Sequence, residues 1–251
     1  MGVQDLSEYT SGADYDAQYA GLYKREISVL KRLALRQNGP ILDVGCGTGI
    51  VTIPLAETGL ETVGIDVTDA MLSRAREKAR GRGNLSFRLA DALTFELSRR
   101  FALAVMTGNA FQEFLSEGDI LALLANIRRH LCRDGRLVFD TRLPEGYDLS
   151  LDADFEFWQT YLDPSGQPVH YFDKQVHFDP STGILHFEME RRYADGTKRR
   201  SSNTIKFTPH DRLLALVEES GFEVVDRYRN WDLEPFETGA ANIVLDLKKV
   251  E

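Results

Sequence analysis

Between residues 21 and about 140 the apolar positions alternate between a helical period and short continuous runs. Leu22, Ile27, Leu30, Leu33 and Ala34 recur at helical spacing and predict a helix over 21–35. Residues 41–45 (ILDVG) form a short apolar strand pattern. Residues 50–59 read as a helix stopped by Gly59, with Pro54 in the first turn, where its missing N–H is tolerated. A second strand is predicted over 61–67, and Thr68 or Asp69 is suited to cap the helix that follows. A third strand covers 85–93 and a fourth 101–109, the latter nearly continuous in apolar residues, as expected when both sheet faces are covered. An amphipathic helix over 118–135, closed by Gly135, leads to a fifth strand at 136–142.

Strands alternating with helices in this way predict βαβ units and a parallel sheet. After residue 148 the period changes to two. Residues 155–161, 168–178 and 184–193 alternate, with Leu185, Phe187 and Met189 on one face and His186, Glu188 and Glu190 on the other. This is an antiparallel meander with one apolar and one wet face. The α/β rhythm returns at 208–221, a helix with Thr208 as N-cap, Pro209 in its first position and Gly221 as its stop. Two further strands, 222–231 and 241–249, are too close for a crossover helix and should pair antiparallel. The expected fold is a Rossmann-like, doubly wound seven-stranded sheet, mostly parallel with an antiparallel last strand. It carries an antiparallel β-rich insertion at 149–207, positioned to cover an acceptor site, while 1–148 and 208–251 form the main domain.

Composition narrows the function. The 251 residues are 43% hydrophobic and 27% charged, as in ordinary globular proteins. No stretch approaches the roughly 20 apolar residues of a membrane span, and the polar, acidic start lacks the parts of a signal peptide. Two cysteines, Cys46 and Cys132, provide neither a disulfide frame nor a metal site and fit a cytoplasmic setting. The net charge is −9. Basic clusters are short: Met71, Ala75 and Ala79 recur every fourth residue, leaving Arg74, Arg76, Lys78 and Arg80 on the solvated faces of a helix. A nucleic-acid partner is therefore not expected.

The chemistry centres on ILDVGCGTGI, residues 41–50. A glycine-rich turn between strand and helix lets a ligand approach bare backbone. Dinucleotide binding calls for G-x-G-x-x-G. Here Gly45, Gly47 and Gly49 give G-x-G-x-G, Ile50 stands where a third dinucleotide glycine would fall, and Asp43 at the strand end would repel a diphosphate. An NAD-dependent oxidoreductase is disfavoured, and a cationic ligand suits the loop better.

ILDVGCGTG, GID at 64–66, ADAL at 90–93 and FALAVMTGN at 101–109 together resemble the motif series of class I S-adenosylmethionine-dependent methyltransferases. The resemblance covers most of residues 21–142 and implies S-adenosyl-L-methionine as cofactor. It implies that Gly45, Cys46, Gly47 and Gly49 receive the methionine portion and ribose, with Asp43 near the amino end. Asp66, followed by Val67, is placed to accept the two ribose hydroxyls, Asp91 and the Ala92 N–H to meet the adenine, and Met71 to pack on its face. Thr107, Gly108 and Asn109 would floor the site, and Tyr15 or Tyr19 would touch the cofactor.

Displacement at a sulfonium methyl needs an acceptor held in line more than it needs an activating group, and a base only if the acceptor arrives protonated. No catalytic residue is evident; His170 and His177 are the candidates for a base. The N-terminal aromatic run Tyr9, Tyr15, Tyr19 and Tyr23 is expected to help build the pocket, and its last three members fall every fourth residue on one helical face. Tyr23, Trp158, Tyr171 and Trp231 are candidates for the acceptor pocket, and Arg142 for pairing with an anionic acceptor. No metal-ligand spacing is present. The region after residue 138 also resembles bacterial small-molecule methyltransferases related to sugar amine N-methylating enzymes and glycine N-methyltransferase. The expectation is methyl transfer to a small-molecule acceptor, O- or N-methylation undecided, by a monomer or homodimer. A non-catalytic S-adenosylmethionine-binding protein and an RNA methyltransferase are the alternatives.

Overall fold

The computed structural model describes residues 6–250. After a 3₁₀ turn at Ser7–Tyr9 come helices α1 (Gly12–Tyr19) and α2 (Lys24–Gln37), strand β1 (Ile41–Val44), helix α3 (Thr52–Ala56), β2 (Thr62–Asp66), α4 (Asp69–Lys78), β3 (Leu85–Leu89) and β4 (Phe101–Met106). A second 3₁₀ turn, Ala110–Glu113, precedes α5 (Glu117–His130) and β5 (Leu131–Arg142). Then follow β6 (Glu156–Leu162), β7 (Pro168–Asp179), β8 (Ile184–Tyr193), β9 (Lys198–Lys206), α6 (His210–Glu219), β10 (Phe222–Tyr228) and β11 (Asn242–Lys249).

The main sheet has seven strands in the order β10-β11-β5-β4-β1-β2-β3. β1 pairs parallel with β2 and β4, while β11 runs antiparallel to both β5 and β10. The reversal of strand order on either side of β1 opens a crevice at the carboxyl ends of the strands, where doubly wound sheets bind ligands. Helices cover both faces because successive strand residues point opposite ways. Ile41, Leu103, Val138 and Val244 pack with Leu30 of α2 and Leu55 of α3. Their neighbours Leu42, Ala104, Leu137 and Leu245 pack with Leu124 of α5 and Leu213 of α6. Each such fully buried side chain contributes roughly 1.5–3 kcal/mol, so a strand shifted by one residue would lose both layers at once.

A second sheet, β6-β7-β8-β9, is antiparallel throughout. It has four strands where the alternation predicts three. β9 (KRRSSNTIK) is polar along most of its length and buries only Asn203 and Ile205, so it carries almost no apolar signal. Two other boundaries differ. The helix predicted over 118–135 stops at His130, and the chain passes directly into β5 at Leu131. Gly135 therefore lies inside the strand, beside Asp134, whose left-handed φ of 59° absorbs the irregularity. Helix α6 begins after Pro209, not after Thr208; its first N–H, that of His210, donates to Glu145 Oε1 at 2.9 Å.

The N-terminal tyrosines do not share one helical face. The chain leaves α1 at Tyr19, and Tyr23 stands at the start of α2. Helix α1 instead bridges the two sheets, packing on α4 and on β6. Its Asp16 accepts hydrogen bonds from Thr48 Oγ1 (2.6 Å), Arg74 Nε (2.8 Å) and Lys78 Nζ (2.6 Å). On the other side Arg191 of β8 reaches Gln18 at 2.8 Å and forms an ion pair with Glu8.

Candidate functional site

The loop after β1 explains its glycines. Gly45, Gly47 and Gly49 have φ of 72°, 52° and 78°, a left-handed backbone that side chains rarely adopt. A Cβ on Gly49 would also crowd Phe87 at 3.0 Å, whereas one on Gly47 would meet nothing within 4 Å, so the loop is open on its outer side. Its amides are turned inward. Gly45 N and Cys46 N both donate to Ile65 O, at 2.9 and 3.0 Å, and Gly47 N donates to Asp66 Oδ2 at 2.8 Å. A phosphate-binding loop presents such amides to the ligand; here they hold β1 to β2.

Three carboxylates stand at strand ends around this loop. Asp43 is buried and accepts a 2.6 Å hydrogen bond from Thr52 Oγ1. Burial pushes its carboxyl up to about 7, against the opposing pull of that bond. Asp66 accepts from the amides of Gly47 and Thr68, each at 2.8 Å, and burial raises it as well. Asp91 is exposed and accepts from Leu93 N at 2.8 Å. The thiol of Cys46 is buried and pushed well up by that burial, so it is no reactive thiolate.

The opposite wall comes from the N-terminal segment and the turn after β4. Gly108 has a φ of 70°, and the Tyr23 hydroxyl occupies the space where its Cβ would stand. Tyr9 Oη donates to Glu113 Oε1 at 2.9 Å, and Asn203 Nδ2 of β9 donates to the same oxygen at 2.9 Å. Burial raises Tyr9 and Tyr15 well above the ordinary phenol range and Tyr23 to about 12, so all three stay neutral. Between the walls lies a cavity of about 330 Å³.

Of the residues singled out in the sequence, Asp43, Gly45, Cys46, Gly47, Asp66, Val67, Met71, Asp91, Ala92, Thr107, Gly108, Tyr15 and Tyr23 line this cavity. Gly49, Asn109 and Tyr19 do not. Gly49 is packed behind the loop, Asn109 N donates to Asp140 at 3.2 Å, and Tyr19 turns to Trp158, 6.3 Å between ring centres. The other acceptor-side candidates also fall outside the lining. Trp231 is a buried strut whose Nε1 donates to Asp140 at 3.1 Å. Arg142 lies over the Tyr147 ring and donates to Gln112. Tyr171 is buried within the second sheet under Arg191. His170 and His177 are exposed; His170 pairs with Thr160, and His177 stacks on His186. No residue of the second sheet lines the cavity among those described; the sheet reaches it at one remove, through Asn203 and Glu113.

Sequence reasoning passed over Leu6, Thr48 and Glu113 as lining residues, whereas Tyr9, of the N-terminal aromatic run, does line the cavity. Glu113 sits in the segment TGNAFQEF, but nothing local marks its carboxylate; its partner Tyr9 is 104 residues away. Among the described residues no cluster of His, Cys, Asp and Glu is suited to hold a metal ion, and no helix is long and apolar enough to cross a membrane.

Residues 41–135 match the family model of a methyltransferase domain. The chain is 28% identical over 207 residues to a glycine/sarcosine/dimethylglycine N-methyltransferase of Actinopolyspora halophila, with 79% of this chain and 34% of that protein covered. It is 28% identical over 205 residues to a glycine/sarcosine N-methyltransferase of Halorhodospira halochloris, with 79% and 71% covered. The chain thus spans about a third of the first relative's length and most of the second's. Among solved structures, the CcbJ methyltransferase of Streptomyces caelestis superposes with a TM-score of 0.78 at 21% identity, over 97% of this chain and 99% of that one. The S-adenosylmethionine-bound amino pentose methyltransferase CalS10 of Micromonospora echinaspora gives 0.73 at 20% identity, over 94% and 96%. Residues 41–135, from β1 into β5, thus match a methyltransferase domain, and the fold of these solved structures is shared along nearly the whole chain.

Proposed function

We propose that the protein transfers the methyl group of S-adenosylmethionine to a small-molecule acceptor held in the cavity beneath the N-terminal segment. When bound, the cofactor supplies an electrophilic methyl on a sulfonium. The chain's own residues do the rest. Asp66 receives the two ribose hydroxyls, and Asp91 with the Ala92 N–H meets the adenine. The open outer side of Gly45–Gly47 accepts the methionine portion, with Asp43 toward its amino end. Met71, buried in α4 and facing the cavity, packs against the base.

The observation that carries this reading is a glycine loop whose amides are spent internally, ringed by strand-end acids. Such a site repels a diphosphate and suits a ligand with one net positive charge. The relatives named N-methyltransferases support a small acceptor, and two unpaired cysteines fit a reducing, cytoplasmic setting.

The test is calorimetry with S-adenosylmethionine and S-adenosylhomocysteine. The wild type should bind both. Asp66→Ala removes two hydrogen bonds to an ionised group, each worth about 1.5–3 kcal/mol, and should weaken binding on the order of a hundredfold. Undiminished binding by the variant, or none by the wild type, refutes the assignment.

A further inference from the structure

Thr52 stands just outside the cavity, and it holds an acid that lines it. It is the first residue of α3 and is fully buried, and its Oγ1 donates to Asp43 Oδ2 at 2.6 Å. That length belongs to the strong, charge-assisted class of hydroxyl-to-carboxylate bonds. A threonine in a helix commonly turns its hydroxyl to a carbonyl of the preceding turn. Here the proton goes instead to an acid nine residues away, on the far side of the glycine loop.

The other surroundings of Asp43 oppose a charge on it. The residue is buried, and its ladder neighbours Gly64 of β2 and Val105 of β4 are uncharged. The ionisable groups that face it are Asp66 of β2, the Cys46 thiol of the loop and the Tyr23 phenol at the head of α2. Among the described residues no lysine, arginine or histidine pairs with it. Burial drives its carboxyl up to about 7, the Thr52 bond pulls it down, and Asp66 pushes it up again. A carboxylate pinned at one oxygen also has its plane, and the direction of its second oxygen, set from behind.

We infer that Thr52 is a positioning residue for the methyl donor: its hydroxyl holds the Asp43 carboxylate in place for the ammonium of the donor's methionine end. This rests on Asp43 meeting that end, as in the reading above. Thr52 acts through Asp43 and takes no part in the transfer itself.

Two ligands separate the ends of the donor: S-adenosylhomocysteine carries the amino-acid end, and 5′-methylthioadenosine lacks it. Thr52→Val keeps the side-chain shape and removes the donor. By calorimetry at neutral pH it should bind S-adenosylhomocysteine roughly ten- to hundredfold more weakly than the wild type, with 5′-methylthioadenosine affinity unchanged. Thr52→Ser, which keeps the hydroxyl, should restore most of the loss. Without the hydroxyl the ionised carboxylate is less stable, so the rise of S-adenosylhomocysteine affinity with pH should move to higher pH in Thr52→Val. In an Asp43→Asn background the same substitution should add no further loss. Equal weakening of both ligands, an unshifted pH profile or full affinity in Thr52→Val overturns the inference. If Thr52→Val does not melt cooperatively, Thr52→Ala takes its place, and loss of folding in both contradicts a role confined to positioning. A wild type that binds neither ligand would instead sink the methyl-transfer reading.

Discussion

Asp43 carries a carboxyl that changes charge near neutral pH. Its carboxyl is raised by burial from an ordinary 3.8 to about 7 in the folded protein. Between those values the folded state binds the extra proton, so this group's contribution to stability is largest in acid and falls as pH rises through about 7. Asp43→Asn, which keeps an acceptor for Thr52, should stabilise the cofactor-free protein by at least about 1 kcal/mol near pH 8 and by less near pH 5. A cationic cofactor favours the ionised form. Its affinity should therefore increase with pH across the same interval in the wild type and lose that dependence in Asp43→Asn. Thermal melts and titrations at several pH values check both, and a pH-independent wild type contradicts the assignment. Acids at strand ends were legible in the sequence because a short apolar run fixes where each strand stops. The pairing of Glu113 with Tyr9 was not, because it crosses 104 residues and leaves no local pattern.

At the scale of elements, the N-terminal segment is a strap fastened at two points. Asp16 ties α1 to the glycine loop through Thr48 and to α4 through Arg74 and Lys78. Arg191 ties Glu8 and Gln18 to the second sheet. Glu8 and Arg191 are both largely buried, and removing one partner of a buried pair typically costs about 3–5 kcal/mol because the other charge is stranded. Arg191→Ala should therefore raise hydrogen exchange over residues 7–19 far more than in β1 or β4, and raise the KM for S-adenosylmethionine. Exchange unchanged in that segment would mean the strap is held by packing alone. Amphipathic helices and alternating strands announced themselves through their period, whereas β9 did not. Its interior contribution is Asn203 and Ile205, and its register comes from the ladder with β8, a long-range fact. The tyrosines at 15, 19 and 23 had helical spacing, yet the chain turns between α1 and α2, so Tyr23 does not share the helix that carries the other two.

In the whole molecule, the order of the main sheet places the ends of β1, β2, β3 and β4 side by side, and the strap closes the crevice they form. The cavity is lined by Asp43, Asp66 and Asp91 and, among the described residues, by no lysine, arginine or histidine, so its local field favours a cation independently of the net charge of −9. The second sheet supports the site from behind, holding Glu113 through Asn203 and the strap through Arg191. The seven-stranded architecture was readable from alternation of elements, but the indirect role of the second sheet depends on contacts between segments nearly two hundred residues apart. The most direct test is a crystal structure of the protein soaked or grown with S-adenosylhomocysteine. The account predicts ribose hydroxyls on Asp66, adenine between Met71 and Asp91, and the thioether sulfur facing Tyr15 and Gly108. A nucleoside lying elsewhere, or a crevice that stays closed by side chains, would contradict it.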